Sequence, residues 1–343
     1  MKPESLEISP RTAAILLNFR RADLTLACLE SLVNMTSEMP DLYVIDNHSG
    51  EGSSRQIRTY LEALAASAPD RFQGPDDVVS PETARSGGRP RIRLVLIEAK
   101  TNLGFGGGIN LGLRQALSFR DTKRFWILNN DIEVSPGALE ALNAAMERDP
   151  SLGVLGCCLT RKSEPDRIQG VGGRYNPWLG TTRHVLSGLA YPKALELEDR
   201  PPIDYVIGAA FLVRRAVLEQ AGLFPEDYFL YFEDLDWSKR VRRSAPSFRI
   251  DYCLESRVIH HEGATTGAHD HGGKTTNALA DYYAQRNRLR LSRRWHPLRY
   301  PIVHLSQLLV LGNRLKRREW PLALIALGLF LGWVPKCLRP DPK

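Results

Sequence analysis

Four short apolar runs, each followed by a stretch with helical spacing, constrain the fold of this 343-residue chain more than any other feature. The runs Ala13–Asn18, Leu42–Asp46, Ile92–Glu98 and Arg124–Leu128 read as strands. Leu24–Asn34, Gly52–Ser67 and Ile109–Ser118 read as helices between and after them, and Pro136–Arg148 adds another with proline at its start. Strands that alternate with helices need crossovers, which is the pattern of a mostly parallel sheet with helices on both faces. Ala68–Arg91, rich in Pro, Gly, Asp and Ser, reads as an insertion. Beyond Asp149, Leu152–Thr160 and Asp204–Val213 are strand-like and Arg167–Ala190 has hairpin spacing. Arg214–Ala221 and Asp234–Arg243 are helical, and His260–Lys274 is a Gly/His/Thr-rich loop.

The charge is placed unevenly. The formal net charge is +7, yet Tyr282–Arg318 alone holds ten Lys/Arg and no Asp/Glu, so the rest of the chain is slightly acidic. A block of this kind suits an anionic lipid surface, nucleic acid or an anionic substrate, or simply a solvated helix face. An apolar run, Pro321–Val334, follows it, flanked by Trp320 and Trp333. It falls short of the ~20 residues needed to span a bilayer and reads as interfacial or as a core helix. Five cysteines without metal-ligand spacing and a polar N-terminus fit a reducing cytoplasm.

Two acidic clusters carry the chemistry. RFWILNNDIEV ends in Asn129, Asn130, Asp131 and Glu133, and YFLYFEDLDWSKR carries Glu233, Asp234 and Asp236. Carboxylates among aromatic neighbours are costly to desolvate unless a cation or proton compensates. Asp131 at a strand end suits Mg2+ or Mn2+, or caps the next helix. Three acids at a helix start exceed what capping needs, and their repulsion raises at least one pKa, as in a general base. Asp46 ends a strand where open α/β sheets bind ligands, although taken alone an Asx turn or helix cap is the better reading. Gly104, Gly106, Gly107 and Gly108 precede a helix and can cradle a diphosphate or simply form a tight turn. His260 and His261, with His269 and His271 nearby, suit one histidine beside Asp131 better than a structural zinc site.

In order, the segments AILLNFRRADLTLACLESL, VIDNHSG, NLGFGGGINLG, ILNNDIEV, YFLYFEDLDWSKR, RVIHHEGATTG and YYAQRNRLRL resemble a family 2 glycosyltransferase of the GT-A fold, rhamnosyltransferase-like, over roughly Ala13 to Pro297. The resemblance implies a catalytic domain over 1–297, with a nucleotide-binding half near 11–135 and an acceptor half near 136–297. The basic, amphipathic helices of 298–343 follow. It implies an α/β, Rossmann-like, mostly parallel sheet. It also implies inversion with a nucleotide-sugar donor, dTDP-rhamnose being the leading candidate, Mg2+ or Mn2+, and a glycan or lipid-linked acceptor.

Carried over by resemblance, Asp234 is the catalytic base with Glu233 beside it, and Asp131 and His260 hold the metal. Asn18, Asp46, Asn102, Gly104, Phe105, Gly106, Gly107, Asn110, Asn129 and Asn130 contact the nucleotide sugar. Asn129 stands where more acidic relatives have Asp. Arg286 and Arg288 are candidates to supplement the metal's charge or steer phosphate. The expected location is the cytoplasm, peripheral at the inner face of the membrane, with no nucleic acid as partner. A sugar nucleotidyltransferase and a basic nucleic-acid- or membrane-binding protein are the alternatives.

Overall fold

The computed structural model describes residues 11–35, 39–74, 85–86, 89–261 and 278–333. Most of the Ala68–Arg91 insertion, the loop after His261 with His269 and His271, and the last ten residues lie outside them.

Besides two small two-stranded sheets at Gly173–Asn176/Thr181–His184 and Arg85–Ser86/Arg89–Pro90, the chain builds, among the described residues, a ten-stranded mixed sheet. Its strands are β1 (Arg11–Asn18), β2 (Asp41–Asp46), β3 (Phe72–Gln73), β4 (Ile92–Glu98), β5 (Thr122–Asn129), β6 (Ile132–Val134), β7 (Leu152–Arg161), β8 (Glu164–Gly170), β9 (Ala210–Arg214) and β10 (Arg249–His260). The spatial order is β3-β4-β2-β1-β5-β9-β7-β10-β6, with β8 paired to β7. From β3 to β5 every pairing is parallel. The strand β9 then runs antiparallel to both β5 and β7, and β6 antiparallel to β10. The expected strand Asp204–Val213 is shorter than its sequence suggests: the paired strand is Ala210–Arg214, and Tyr205 makes only an isolated bridge to Gly173. Gly208 and Ala209 form a turn before it.

Helices cover both faces, and the alternation of side chains along each strand divides the core accordingly. Ile15, Ile45, Phe125 and Ile127 face one cluster with Ile109 and Leu113 of α3 (Gly104–Leu117). Leu16, Val44, Trp126 and Leu128 face the other, with Leu29 of α1 (Ala22–Val33), Leu61 of α2 (Glu51–Ser67) and Leu142 of α4 (Ala138–Arg148). Each such side chain contributes roughly 1.5–3 kcal/mol by leaving water. This double burial is why the central strands read as continuous apolar runs.

The C-terminal half adds α5 (Arg215–Ala221), α6 (Glu233–Ser244) and the long α7 (Ala278–Trp295). Three more helices follow: α8 (Tyr300–Leu305), α9 (Gln307–Lys316) and α10 (Trp320–Phe330). Arg314 of α9 ties them to α7 through Asp281 at 2.6 Å and holds Glu319, ahead of α10, at 2.6 Å. Among the described residues no helix is long and apolar enough to cross a membrane.

Candidate active site

The site forms where β1, β2 and β5 end. Asn18, fully buried at the end of β1, connects the neighbouring segments: its Nδ2 donates to Asp46 Oδ2 at 2.8 Å and to Ser53 Oγ at 2.9 Å, and its Oδ1 accepts from Thr25 Oγ1 at 2.7 Å. Asn130 Nδ2 reaches the same Thr25 Oγ1 at 3.2 Å. The other oxygen of Asp46 accepts from the Ser49 N–H at 2.8 Å, so Asp46 also braces the chain three residues on. Beside this network lies a cavity of about 410 Å³ lined by Arg20, Ser49, Ser53 and Gln56, among others.

The glycine run is helical from Gly104, not from Ile109 as the sequence suggests, and its glycines are used for packing. A Cβ on Gly104 would stand 2.2 Å from the Phe229 carbonyl oxygen, and one on Gly106 2.9 Å from that of Pro225. On Gly107 it would meet Leu103 at 2.7 Å. The Phe105 N–H, at the positive end of α3, donates to Phe229 O at 2.7 Å. Asn102 Oδ1 accepts from the Gly104 N–H at 2.9 Å. Asn110, expected on the donor sugar, has its amide taken up by Phe224 O at 2.9 Å, Phe224 N and Glu226. On one side the backbone of this segment is pressed against the loop at 224–229.

Strand register brings Asp131 and His260 together. After the turn at Asn130–Asp131, β6 pairs His260 with Ile132, and the His261 N–H donates to Asp131 O at 2.8 Å. His260 Nε2 then faces Asp131 Oδ1 at 3.3 Å, while His260 Nδ1 meets Gln169 Oε1 at 3.1 Å. Asp131 is only 6% exposed, and among the described residues its Oδ1 has no hydrogen-bond donor. A buried carboxylate oxygen left without a donor and an imidazole nitrogen facing it are groups that fit a divalent cation. Further ligands must come from outside this pair, because no cluster of three such side chains occurs among the described residues. Glu133 points elsewhere, to His261 at 2.8 Å and Lys162 at 3.0 Å. Burial raises its carboxyl, but these two partners outweigh burial and hold it below the usual range.

The second cluster starts α6. Asp236 is structural: fully buried, it accepts from Tyr228 Oη at 2.6 Å and Arg294 at 3.1 Å. Glu233 is buried, and among the described residues its Oε2 has no partner. Burial, and then the charge of Asp234, push its pKa well up. Asp234 is half-buried. Burial raises its pKa too, while N–H donors from Gly208 at 3.0 Å and Leu235 at 2.7 Å pull it back. Glu233 therefore holds the proton and Asp234 is the member that ionises first.

Gly208 and Ala209 connect the clusters. The Gly208 N–H binds Asp234, and the Ala209 carbonyl accepts from the Asn129 N–H at 2.9 Å. Gly208 also stands beside the Phe105 ring, where a Cβ would meet Cζ at 3.4 Å. The loop before Glu233 is strained, with Phe229, Tyr231 and Phe232 all at φ between 67° and 71°. Asn287 of α7 holds it: fully buried, its Nδ2 lies 2.9, 2.7 and 3.0 Å from the carbonyls of Tyr228, Leu230 and Tyr231. Sequence reasoning missed Asn287, Gly208 and Gln169. Only Gly208 left a trace, as a kink in an apolar run. Arg286 and Arg288, expected near phosphate, support the structure: Arg286 reaches Asp227 O, and buried Arg288 bonds Leu179 O at 2.9 Å and Ser306.

Residues 80–222 match the model of Glycosyl transferase family 2. The N-acetylglucosaminyl-diphospho-decaprenol L-rhamnosyltransferase of Mycobacterium tuberculosis (strains CDC 1551 / Oshkosh and ATCC 25618 / H37Rv) is 27% identical over 301 residues, covering 78% of this chain and 94% of the relative. Among solved structures, the Pyrobaculum calidifontis mannosyltransferase PcManGT in complex with GDP-Man and Mn2+ superposes with a TM-score of 0.50 at 17% identity, covering 97% of this chain and 78% of that one. GalNAc-T7 with UDP, GalNAc and Mn2+ gives 0.52 at 13% identity, covering 95% and 58%.

The sheet and these neighbours show the GT-A fold. Residues 80–222 carry the family 2 glycosyltransferase match, and the chain is similar to a rhamnosyltransferase over most of its length, as the order of its motifs led us to expect.

Proposed function

We propose that the chain is an inverting, divalent-cation-dependent transferase that moves a sugar, rhamnose from dTDP-rhamnose in the leading case, onto a hydroxyl of a lipid-linked glycan during cell-surface polysaccharide synthesis. The choice of sugar and acceptor follows the printed name of the mycobacterial relative. The observation that carries the mechanism is the Gly208–Ala209 turn, which binds Asp234 on one side and Asn129, two residues before Asp131, on the other.

In this reading the cavity beside Asn18 and Asp46 takes the nucleotide, and Asn129 and Asn130 line the path toward the sugar. Asp131 and His260 would hold Mg2+ or Mn2+, which supplies positive charge where a diphosphate leaves. Asp234 takes the acceptor hydroxyl's proton as that oxygen attacks, its carboxylate aimed by two backbone N–H groups. Glu233, protonated beside it, keeps a second negative charge out of the pocket. Inversion follows if acceptor and leaving group meet the sugar from opposite faces. Asn102, Gly104, Phe105, Gly106, Gly107 and Asn110 serve by shaping the wall between the two halves. The protein works peripherally at the cytoplasmic face of a membrane.

Incubating the protein with dTDP-rhamnose, Mn2+ and a polyprenyl-diphosphate N-acetylglucosamine tests this. The reading requires dTDP release that depends on acceptor. Release of pyrophosphate instead would indicate a nucleotidyltransferase.

A further inference from the structure

The helix α10 has two apolar faces with different fates. Leu322, Ala323, Ile325 and Ala326 are buried, whereas Trp320, Leu324, Leu327 and Leu331 are exposed at the spacing of one helical stripe. The preceding helices continue the exposed surface, with Leu305 58% and Leu309 70% exposed. Between α9 and α10 stand Lys316, Arg317 and Arg318, all exposed. From Tyr282 to Trp333 the only acid in the sequence is Glu319, and Arg314 neutralises it at 2.6 Å. A basic turn between two exposed apolar helix faces matches one chemistry, an anionic lipid surface that takes leucine and tryptophan into its acyl boundary.

The buried face of α10 gives this surface its place in the enzyme. Leu322 and Ile325 share a cluster with Tyr282 and Tyr283 of α7, and Phe229, Leu230 and Tyr231 pack against it. Phe229 stacks on Tyr283 with ring centroids 4.8 Å apart. Those loop residues lead directly into Glu233 and Asp234.

We propose that the outer faces of α8–α10 form a docking surface for an anionic lipid bilayer, built onto the back of the loop that presents Glu233 and Asp234. The inference deepens the functional reading and rests on it for the lipid-linked acceptor alone. A bilayer against the outer stripe of α10 would lie one helix away from the loop that leads into Asp234. Truncation before α8 cannot test this, because it also strips Leu322 and Ile325 from the loop.

The test uses the full chain and the variant L324E/L327E, with vesicles of phosphatidylcholine alone or mixed with phosphatidylglycerol. The wild type should sediment with the mixed vesicles, less so at high salt, and the variant should lose about tenfold or more of that partitioning. The variant's melting temperature and its turnover on a short-chain, water-soluble acceptor should stay unchanged. Three results overturn the docking surface. The wild type stays in solution with mixed vesicles, the variant partitions like the wild type, or the substitutions split a dimer in light scattering, which assigns the face to a second copy. Vesicle binding by a wild type that shows no sugar transfer would instead overturn the functional reading and leave the surface standing.

Discussion

His260 Nε2 faces Asp131 Oδ1 at 3.3 Å, and His260 Nδ1 is engaged by Gln169. Under the proposed function this pair would hold the cation. In calorimetry with Mn2+ and dTDP, Asp131→Asn and His260→Ala should each weaken metal-dependent nucleotide binding by about tenfold or more. Gln169→Leu, which frees the ring to turn, should weaken it less than either, because it removes only the outer partner of the ring. Unchanged Mn2+ dependence in Asp131→Asn would remove this pair as the site.

Asn287 restrains a loop whose strain it does not share. Replacing it with Ala leaves three carbonyls without their buried donor, at a cost of about 2 kcal/mol. Urea denaturation should register that loss. Turnover should fall while KM for the donor stays near wild type, because the loop serves Asp234 and not the nucleotide cavity. A matching rise in donor KM would mean that Asn287 supports the whole fold.

Gly104 combines a φ of 70° with a Cβ position 2.2 Å from Phe229 O. Gly104→Ala should therefore destabilise by ~2 kcal/mol or more, since both the backbone conformation and the contact oppose a side chain. A variant as stable as wild type in denaturant would show that α3 and the 229 loop are not held this closely.

Glu233 keeps its proton to a higher pH folded than unfolded, because burial and Asp234 oppose its charge. The folded state thus binds the extra proton above the ordinary glutamate range, and stability falls as pH rises through the raised pKa. Glu233→Gln should flatten that decline, so the variant gains on wild type between about pH 5 and about pH 8 in chemical denaturation. Parallel stability curves for the two proteins would contradict the assignment.

The parallel half of the sheet was legible in sequence because strands buried on both faces read as unbroken apolar runs, as in Ile15–Leu17 and Tyr43–Ile45. The start of α3 was not, since four glycines in five residues argue against a helix. Close packing on Phe229 and Pro225 decides otherwise. The crowding of Glu233, Asp234 and Asp236 was visible, yet their separation into a buried acid, a half-buried carboxylate and a structural anchor depends on Gly208, Tyr228 and Arg294. Asn287 was invisible for the same reason: its three partners lie more than fifty residues away in sequence.

The central claim is that Asp234 accepts the acceptor's proton in a site whose donor half functions without it. The most direct measurement compares acceptor-dependent release of nucleoside diphosphate by wild type and Asp234→Asn, with Mn2+-dependent donor binding followed in parallel. The account predicts a loss of ~10²–10⁴-fold in turnover with donor binding intact. It also predicts that wild-type turnover drops on the acid side at a pH above the usual aspartate range, as protonation removes the base. Wild-type turnover in Asp234→Asn would contradict it.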